Sequence, residues 1–164
     1  MVICTLLVTG IMAQTEGMLQ VSVVTAPTGK EGRNYAPKHC VAIWIENESG
    51  KYVKTLLAYG QIRINNLKDW GSATMNSGFP YDRTDAITGA TSTAHDTLQC
   101  AWDCSDFNGK QVPDGKYKLM MELTDLDGKG NTLTILFTKG KNKEILAPSD
   151  ETSFKNIKAE WIPM

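Results

Sequence analysis

A chain of 164 residues, 41% hydrophobic and 21% charged, has the composition of a globular protein with a sizeable core. Its formal net charge of -1 excludes a general attraction to nucleic acid or anionic lipid. The basic cluster Lys139, Lys141 and Lys143 sits beside Gly140 and Asn142 and reads as a solvated loop.

Val2 to Ala13 is an apolar, uncharged run, too short to span a bilayer. It matches the apolar region of a secretory signal peptide without its basic start, with cleavage expected after Ala13. The alternative is a buried N-terminal strand. The expected organisation is a partial signal peptide over 1–13 and a single domain over 14–164. Cys4 would leave with the signal. Cys40, Cys100 and Cys104 then remain, an odd number, so at least one thiol is free or intermolecular. Cys100 and Cys104 on an extended strand lie roughly 13 Å apart, too far for a mutual disulfide. Cys40 could reach one of them across the fold; buried free thiols are slightly favoured.

Leu19 to Ala26 predicts a first strand, closed by Pro27-Thr28-Gly29. Lys30 to Lys38 is loop. Cys40 to Glu46 alternates, with Val41, Ile43 and Ile45 facing one way and Ala42 and Trp44 the other. Asn47 to Gly50 is a hairpin turn and Tyr52 to Tyr59 the return strand. Leu67 and Trp70, three apart, suggest a short helix within Gln61 to Trp70. Gly71 to Ala94 carries no period and is longer than an ordinary connection, the kind of loop in which function concentrates.

The next stretch carries the strongest pattern. Leu98, Cys100 and Trp102 share one strand face; Tyr117, Leu119, Met121 and Leu123 share another, opposite Lys116, Lys118, Met120, Glu122 and Thr124. Asn108-Gly109 and Pro113-Asp114-Gly115 are turn signals between them. The spacing predicts a β-hairpin with a long corner, Trp102 and Tyr117 on adjoining strands. Thr132 to Thr138 follows as a strand, Gly140 to Thr152 as loop, and Ile157 to Ile162 as a last strand with Ile157, Ala159 and Trp161 on one face. About seven strands with closely spaced turns and one short helical segment predict an all-β, Ig-like antiparallel sandwich.

Other candidate chemistry is weak. His39, His95 and the cysteines lack the spacing of a zinc site. Asp125 to Asn131 resembles a calcium loop only in its first residues and reads as a hairpin turn. Asp103, Asp106 and Asn108 read as turn residues. Glu46 and Glu48 join the two aspartates as carboxylates close in sequence, without a hydrolytic pattern. Trp44, Trp70, Trp102 and Trp161 could line a sugar platform; strand placement favours the core.

Three resemblances add to this reading. Trp102-Asp103, Asp106, Asn108-Gly109, Val112-Pro113-Asp114-Gly115 and Tyr117 are similar to the signature hairpin of the Ig-like domain in the flagellar hook-capping protein, which implies fold more than activity. Tyr35 to His39, Ala42 to Glu46, Gly50 to Leu56 and Asp85 to Thr91 together resemble the predicted periplasmic family called domain of unknown function 2271. That likeness implies an exported bacterial protein, periplasmic or extracellular, with no assigned reaction. Asp85-Ala86-Ile87-Thr88-Gly89-Ala90-Thr91 also resembles the acceptor motif of bacterial flavin transferases, in which the last hydroxyl receives FMN through a phosphoester. That resemblance makes Asp85, Thr88, Gly89, Ala90 and Thr91 the candidate cofactor-binding residues, with Thr91 as acceptor. The leading expectation is a non-catalytic binding or assembly module at the cell envelope, without cofactor, its partner an envelope protein or glycan. The alternative is an electron carrier with covalent FMN on Thr91, served by a flavin transferase.

Overall fold

The computed structural model describes residues 13–75 and 77–164, so the expected signal peptide lies, Ala13 apart, outside the described residues. Strands β1 (Gly17–Thr25), β5 (Thr97–Trp102), β8 (Glu144–Leu146) and β9 (Phe154–Pro163) form a four-stranded sheet in the order β5-β1-β9-β8. Strands β2 (Cys40–Asn47), β3 (Tyr52–Tyr59), β4 (Ile87–Gly89), β6 (Gly115–Thr124) and β7 (Asn131–Lys139) form a five-stranded sheet in the order β4-β3-β2-β6-β7. The two sheets face each other over a core that includes Leu19, Val21, Ile43, Leu57, Trp102, Leu119, Phe137 and Trp161. This is the sandwich expected from the sequence; β4 and β8, three residues each, are additions to it.

β2 explains why one sheet needs a second layer. Cys40-Val41-Ala42-Ile43-Trp44-Ile45 is apolar without interruption, and each of these residues is buried. Val41, Ile43 and Ile45 enter the core between the sheets. Cys40, Ala42 and Trp44 join a separate cluster with Tyr52, Ala58, Leu67, Trp70 and Ala73. Helix α1 (Lys68–Met75), preceded by a 3-10 turn at Ile64–Asn66, supplies Trp70 and Ala73, with Leu67 at the junction of the two, and covers this outer face. Glu122 of β6, on the face expected to be polar, is fully buried. Its carboxylate accepts hydrogen bonds from the backbone N–H groups of Lys68 (2.8 Å) and Trp70 (2.9 Å), so it caps the first turn of α1 from another element. Burial pushes its carboxyl upward, against the lowering effect of those donors.

All four tryptophans are fully buried, and each indole N–H donates to an acceptor: Trp44 to Glu46, Trp70 to Thr55, Trp102 to the Ser105 carbonyl and Trp161 to the Gly140 carbonyl. They pack the interior and offer no sugar platform.

The expected hairpin is corrected. β5 pairs with β1 in one sheet, β6 with β2 and β7 in the other, so residues 103–114 cross between sheets. Trp102 and Tyr117 meet across the core, ring centroids 5.2 Å apart, rather than side by side on paired strands. The corner closes on itself: Cys104 takes a left-handed φ of 66°, Val112 N–H donates to the Cys104 carbonyl, and Ser105 bridges Gln111. Asp103 and Asp106 accept backbone N–H groups two residues on, as their turn chemistry predicted.

Lys139 departs from the expected solvated loop. It is 1% exposed, its Nζ 2.6 Å from Asp114 Oδ1 and 2.7 Å from the Thr15 carbonyl. Lys141 and Lys143 are exposed. The thiols of Cys40, Cys100 and Cys104 are free and buried. Burial raises Cys100 to about 12 and Cys104 to about 11, which disfavours the reactive thiolate.

Candidate functional site

The segment that the sequence left as loop carries the Asp85–Thr91 motif along the outer edge of the five-stranded sheet. Its entry is fixed at Asp82, whose carbonyl accepts the Thr55 hydroxyl (2.7 Å) and whose carboxylate accepts Thr84 N–H (2.9 Å) and hydroxyl (2.7 Å). Asp85 then adopts a φ of 56°, and Ala86 N–H closes a turn on the Arg83 carbonyl. Ile87, Thr88 and Gly89 form β4, parallel to Leu57, Ala58 and Tyr59 of β3. The exit is fixed by an antiparallel bridge between Ser92 and His39, with both backbone hydrogen bonds at 3.0 Å.

Between those anchors the motif faces outward. Asp85, Ile87, Thr88, Gly89 and Ala90 are exposed, and the far edge of β4 pairs with no described strand. Gly89 has a packing reason of its own. A Cβ there would lie 3.0 Å from Cδ1 of the Tyr59 ring, closer than a side chain is comfortably placed. The motif's glycine lets the edge strand settle on Tyr59.

Thr91 is half-buried. Its Oγ1 lies 4.0 Å from Cys40 Sγ, at the limit of a sulfur hydrogen bond. Tyr35 stands beside the same cysteine, and Arg63 lies over the Tyr35 ring with Cζ 4.3 Å from its centroid. Burial, with Cys40 beside it, holds the Tyr35 phenol above its ordinary range. Asp85 and Thr91 stand at opposite ends of the edge strand rather than together. Asp85 Oδ2 is 3.9 Å from Nζ of Lys54, a buried lysine that also donates to Ser105 Oγ (2.7 Å) and lies 3.6 Å from Asp103. Desolvation works to raise Asp103, but hydrogen bonds from Ser105 hold it below the usual carboxylate range.

Two further features lie nearby. His39 and His95 stack with ring centroids 4.3 Å apart and planes 8° from parallel. Their Nδ1 atoms are engaged with the Pro37 carbonyl and Thr25 Oγ1; their buried Nε2 atoms have no partner among the described residues. Burial lowers both imidazoles. No group of three metal-ligating side chains assembles among the described residues. The second feature is a trough of about 700 Å³ across the outer face of the four-stranded sheet, walled by Ile87 of β4 at one end and Ile145 to Ala147 at the other. Met18, Ile87 and Ile145 there are exposed apolar side chains.

The sequence pointed to Asp85 through Thr91. It did not single out Lys54, Tyr35 or Arg63 as site residues: each reaches the segment from far along the chain, and the stretches of family likeness that include Tyr35 and Lys54 assign them no role. Asp125, drawn into a calcium-like pattern, is buried and accepts Thr28 N–H (3.0 Å) and hydroxyl, a structural role.

Comparison with known proteins gives one match: the family model described as "Predicted periplasmic protein (DUF2271)" covers residues 18–152. No curated protein and no solved structure matches, so the likeness to the flagellar hook-capping protein finds no support there. No described helix is long and apolar enough to cross a membrane.

Proposed function

The chain belongs to the DUF2271 family of predicted periplasmic proteins, and from that premise we propose that it is an extracytoplasmic electron carrier bearing covalent FMN on Thr91. The observation that carries this reading is the presentation of the motif. Asp85 and Ile87 to Ala90 lie exposed on the sheet edge, held at Asp82 and Ser92 and paired to β3 on one side, with the other side open among the described residues. An extended edge segment offers its unpaired backbone groups to a modifying enzyme by strand addition. The residues fit the group: a neutral hydroxyl ends the motif, the residues before it are small, and among the described residues its one side-chain hydrogen-bond contact is the weak one to Cys40.

Attachment takes a flavin adenine dinucleotide held by a transferase. Thr91 Oγ attacks the FMN phosphorus; the O–P bond forms, the pyrophosphate P–O bond breaks, and AMP leaves. The hydroxyl proton passes to the transferase, and no electron is transferred. The chain itself contributes position. β4 and the Ser92–His39 bridge hold Thr91 at a fixed height on the edge, and Lys54 holds the exposed Asp85 carboxylate at the other end of the motif. Once bound, FMN supplies reversible one- and two-electron chemistry. In this account the chain has no catalytic machinery of its own.

The site test is peptide mapping after co-expression with a bacterial flavin transferase. Thr88→Ala should keep the flavin and Thr91→Ala should lose it. Modification of Thr91→Ala would move the site and contradict the assignment. A second reading, a non-catalytic binding module for an envelope protein or glycan, draws on the trough and its exposed Met18, Ile87 and Ile145. Under that reading Ile145→Lys abolishes capture of the partner while flavin loading is absent.

A further inference from the structure

Flavin attachment places a phosphodiester, and so a negative charge, at Thr91 Oγ. Beyond Cys40 and Tyr35, on the side away from Thr91, lies a surplus of positive charge. Arg33 and Arg63 both end on one carboxylate, that of Asp127: Arg33 Nε is 3.2 Å from Oδ2 and Arg63 Nε is 3.2 Å from Oδ1. Two guanidinium groups share one acid. Arg63 spends only its Nε in this way; its terminal Nη groups make no hydrogen bond among the described residues.

Arg63 is also held in place. It is the residue that opens the 3-10 turn Ile64–Asn66, and its carbonyl accepts Asn66 N–H at 3.0 Å. Its guanidinium lies over the Tyr35 ring, Cζ 4.3 Å from the centroid. Tyr35 in turn stands beside Cys40, whose Sγ Thr91 Oγ1 meets at 4.0 Å. Tyr35 OH makes one long hydrogen bond, 3.3 Å to the Thr124 carbonyl. The side chain of Arg63 is 41% exposed, enough to pivot toward a new anion and dry enough for the pairing to count.

From this arrangement we infer that Arg63 and the Tyr35 hydroxyl form the anion-binding pair for the phosphodiester at Thr91, an inference that rests on the flavin reading. A guanidinium fork suits a phosphate because two N–H groups meet two oxygens in one plane. The Tyr35 hydroxyl adds a third donor. The pair would fix the flavin's phosphate end and leave the ring free to meet a redox partner.

The test uses the full chain co-expressed with a flavin transferase, comparing the parent with Arg63→Gln, Arg63→Lys, Tyr35→Phe and Asp127→Asn. Rate of flavin incorporation and the 31P resonance of the attached phosphodiester are read, with far-UV spectra to confirm that each variant folds. Arg63→Gln should slow incorporation about tenfold, the loss of one charge-assisted contact, and shift the resonance. Arg63→Lys should recover part of the rate, and Tyr35→Phe should shift the resonance by less. Asp127→Asn removes the same ion pair without touching the donors, so it should leave the resonance in place. If Arg63→Gln loads at the parental rate with an unchanged resonance, or if Asp127→Asn reproduces its defect, the pair is structural and the inference is overturned alone. An unmodified parent overturns the flavin reading and this inference with it.

Discussion

Lys139 and Asp114 form the buried ion pair on which the N-terminal end of the described chain depends. Asp114 accepts Lys139 Nζ, Thr15 N–H (2.7 Å) and the Thr15 hydroxyl (2.6 Å), and its own N–H donates to the Ala13 carbonyl. Desolvation works to raise the Asp114 carboxyl, but the lysine and the two Thr15 donors bring it down to about 2. A depressed folded-state pKa adds stability above the unfolded value, near 4, and that stability is lost as pH falls toward about 2. Asp114→Ala strands the lysine charge in the interior and should cost about 3 kcal/mol or more in urea denaturation at neutral pH. A cost below about half a kilocalorie would place Lys139 in solvent after all.

The histidine stack loses stability in the same direction, at higher pH. Burial lowers both imidazoles, so the fold prefers them neutral and the unfolded chain binds more protons. Stability is then full above the unfolded value of about 6.5 and declines as pH falls below it. Replacing His39 by Gln should flatten that decline between pH 7.5 and 5.5 in chemical denaturation; an equally steep loss in the variant would assign it to other groups. Asp125 is the charged group that faces both rings and favours their protonated forms, and it opposes this trend without reversing it.

At the scale of elements, alternation predicted which side chains face inward and left pairing open. Leu98, Cys100 and Trp102, and then Tyr117, Leu119, Met121 and Leu123, are buried as the pattern requires. Which strand lies beside which was not legible. A corner of the length of 103–114 can join neighbours in one sheet or cross to the other, and hydrophobic period is the same in both cases. β4 and β8 are too short to carry any period, which is why the Asp85–Thr91 segment read as loop. The cap on α1 was invisible for a different reason. Glu122 sits fifty-two residues beyond Trp70, and the alternation placed it on a polar face. Glu122→Ala removes two hydrogen bonds from the first turn of α1 and should destabilise by about 2 kcal/mol. Leu119→Ala opens a cavity between the sheets and should cost ~2–5 kcal/mol. A neutral outcome at Leu119 would mean that the core does not close around β6.

For the whole molecule, the family and the sandwich were readable from composition, alternation and motif, and the candidate site only in part. Asp85 to Thr91 stood out because seven adjacent residues carry the pattern. Tyr35, Arg63 and Lys54 did not, because only folding brings the 35–40 loop, the 3-10 turn and β3 to that edge. The sandwich acts as a frame: one sheet edge is left open, the motif lies along it, and anchors at buried Asp82 and half-buried Ser92 hold its ends. The most direct test is the intact mass of the purified parent chain after co-expression with a bacterial flavin transferase. The account predicts an increase equal to one FMN joined with loss of water, accompanied by a flavin absorption spectrum that survives denaturation. A chain that remains at its unmodified mass and colourless, with the transferase active on a known acceptor in the same cells, would contradict it.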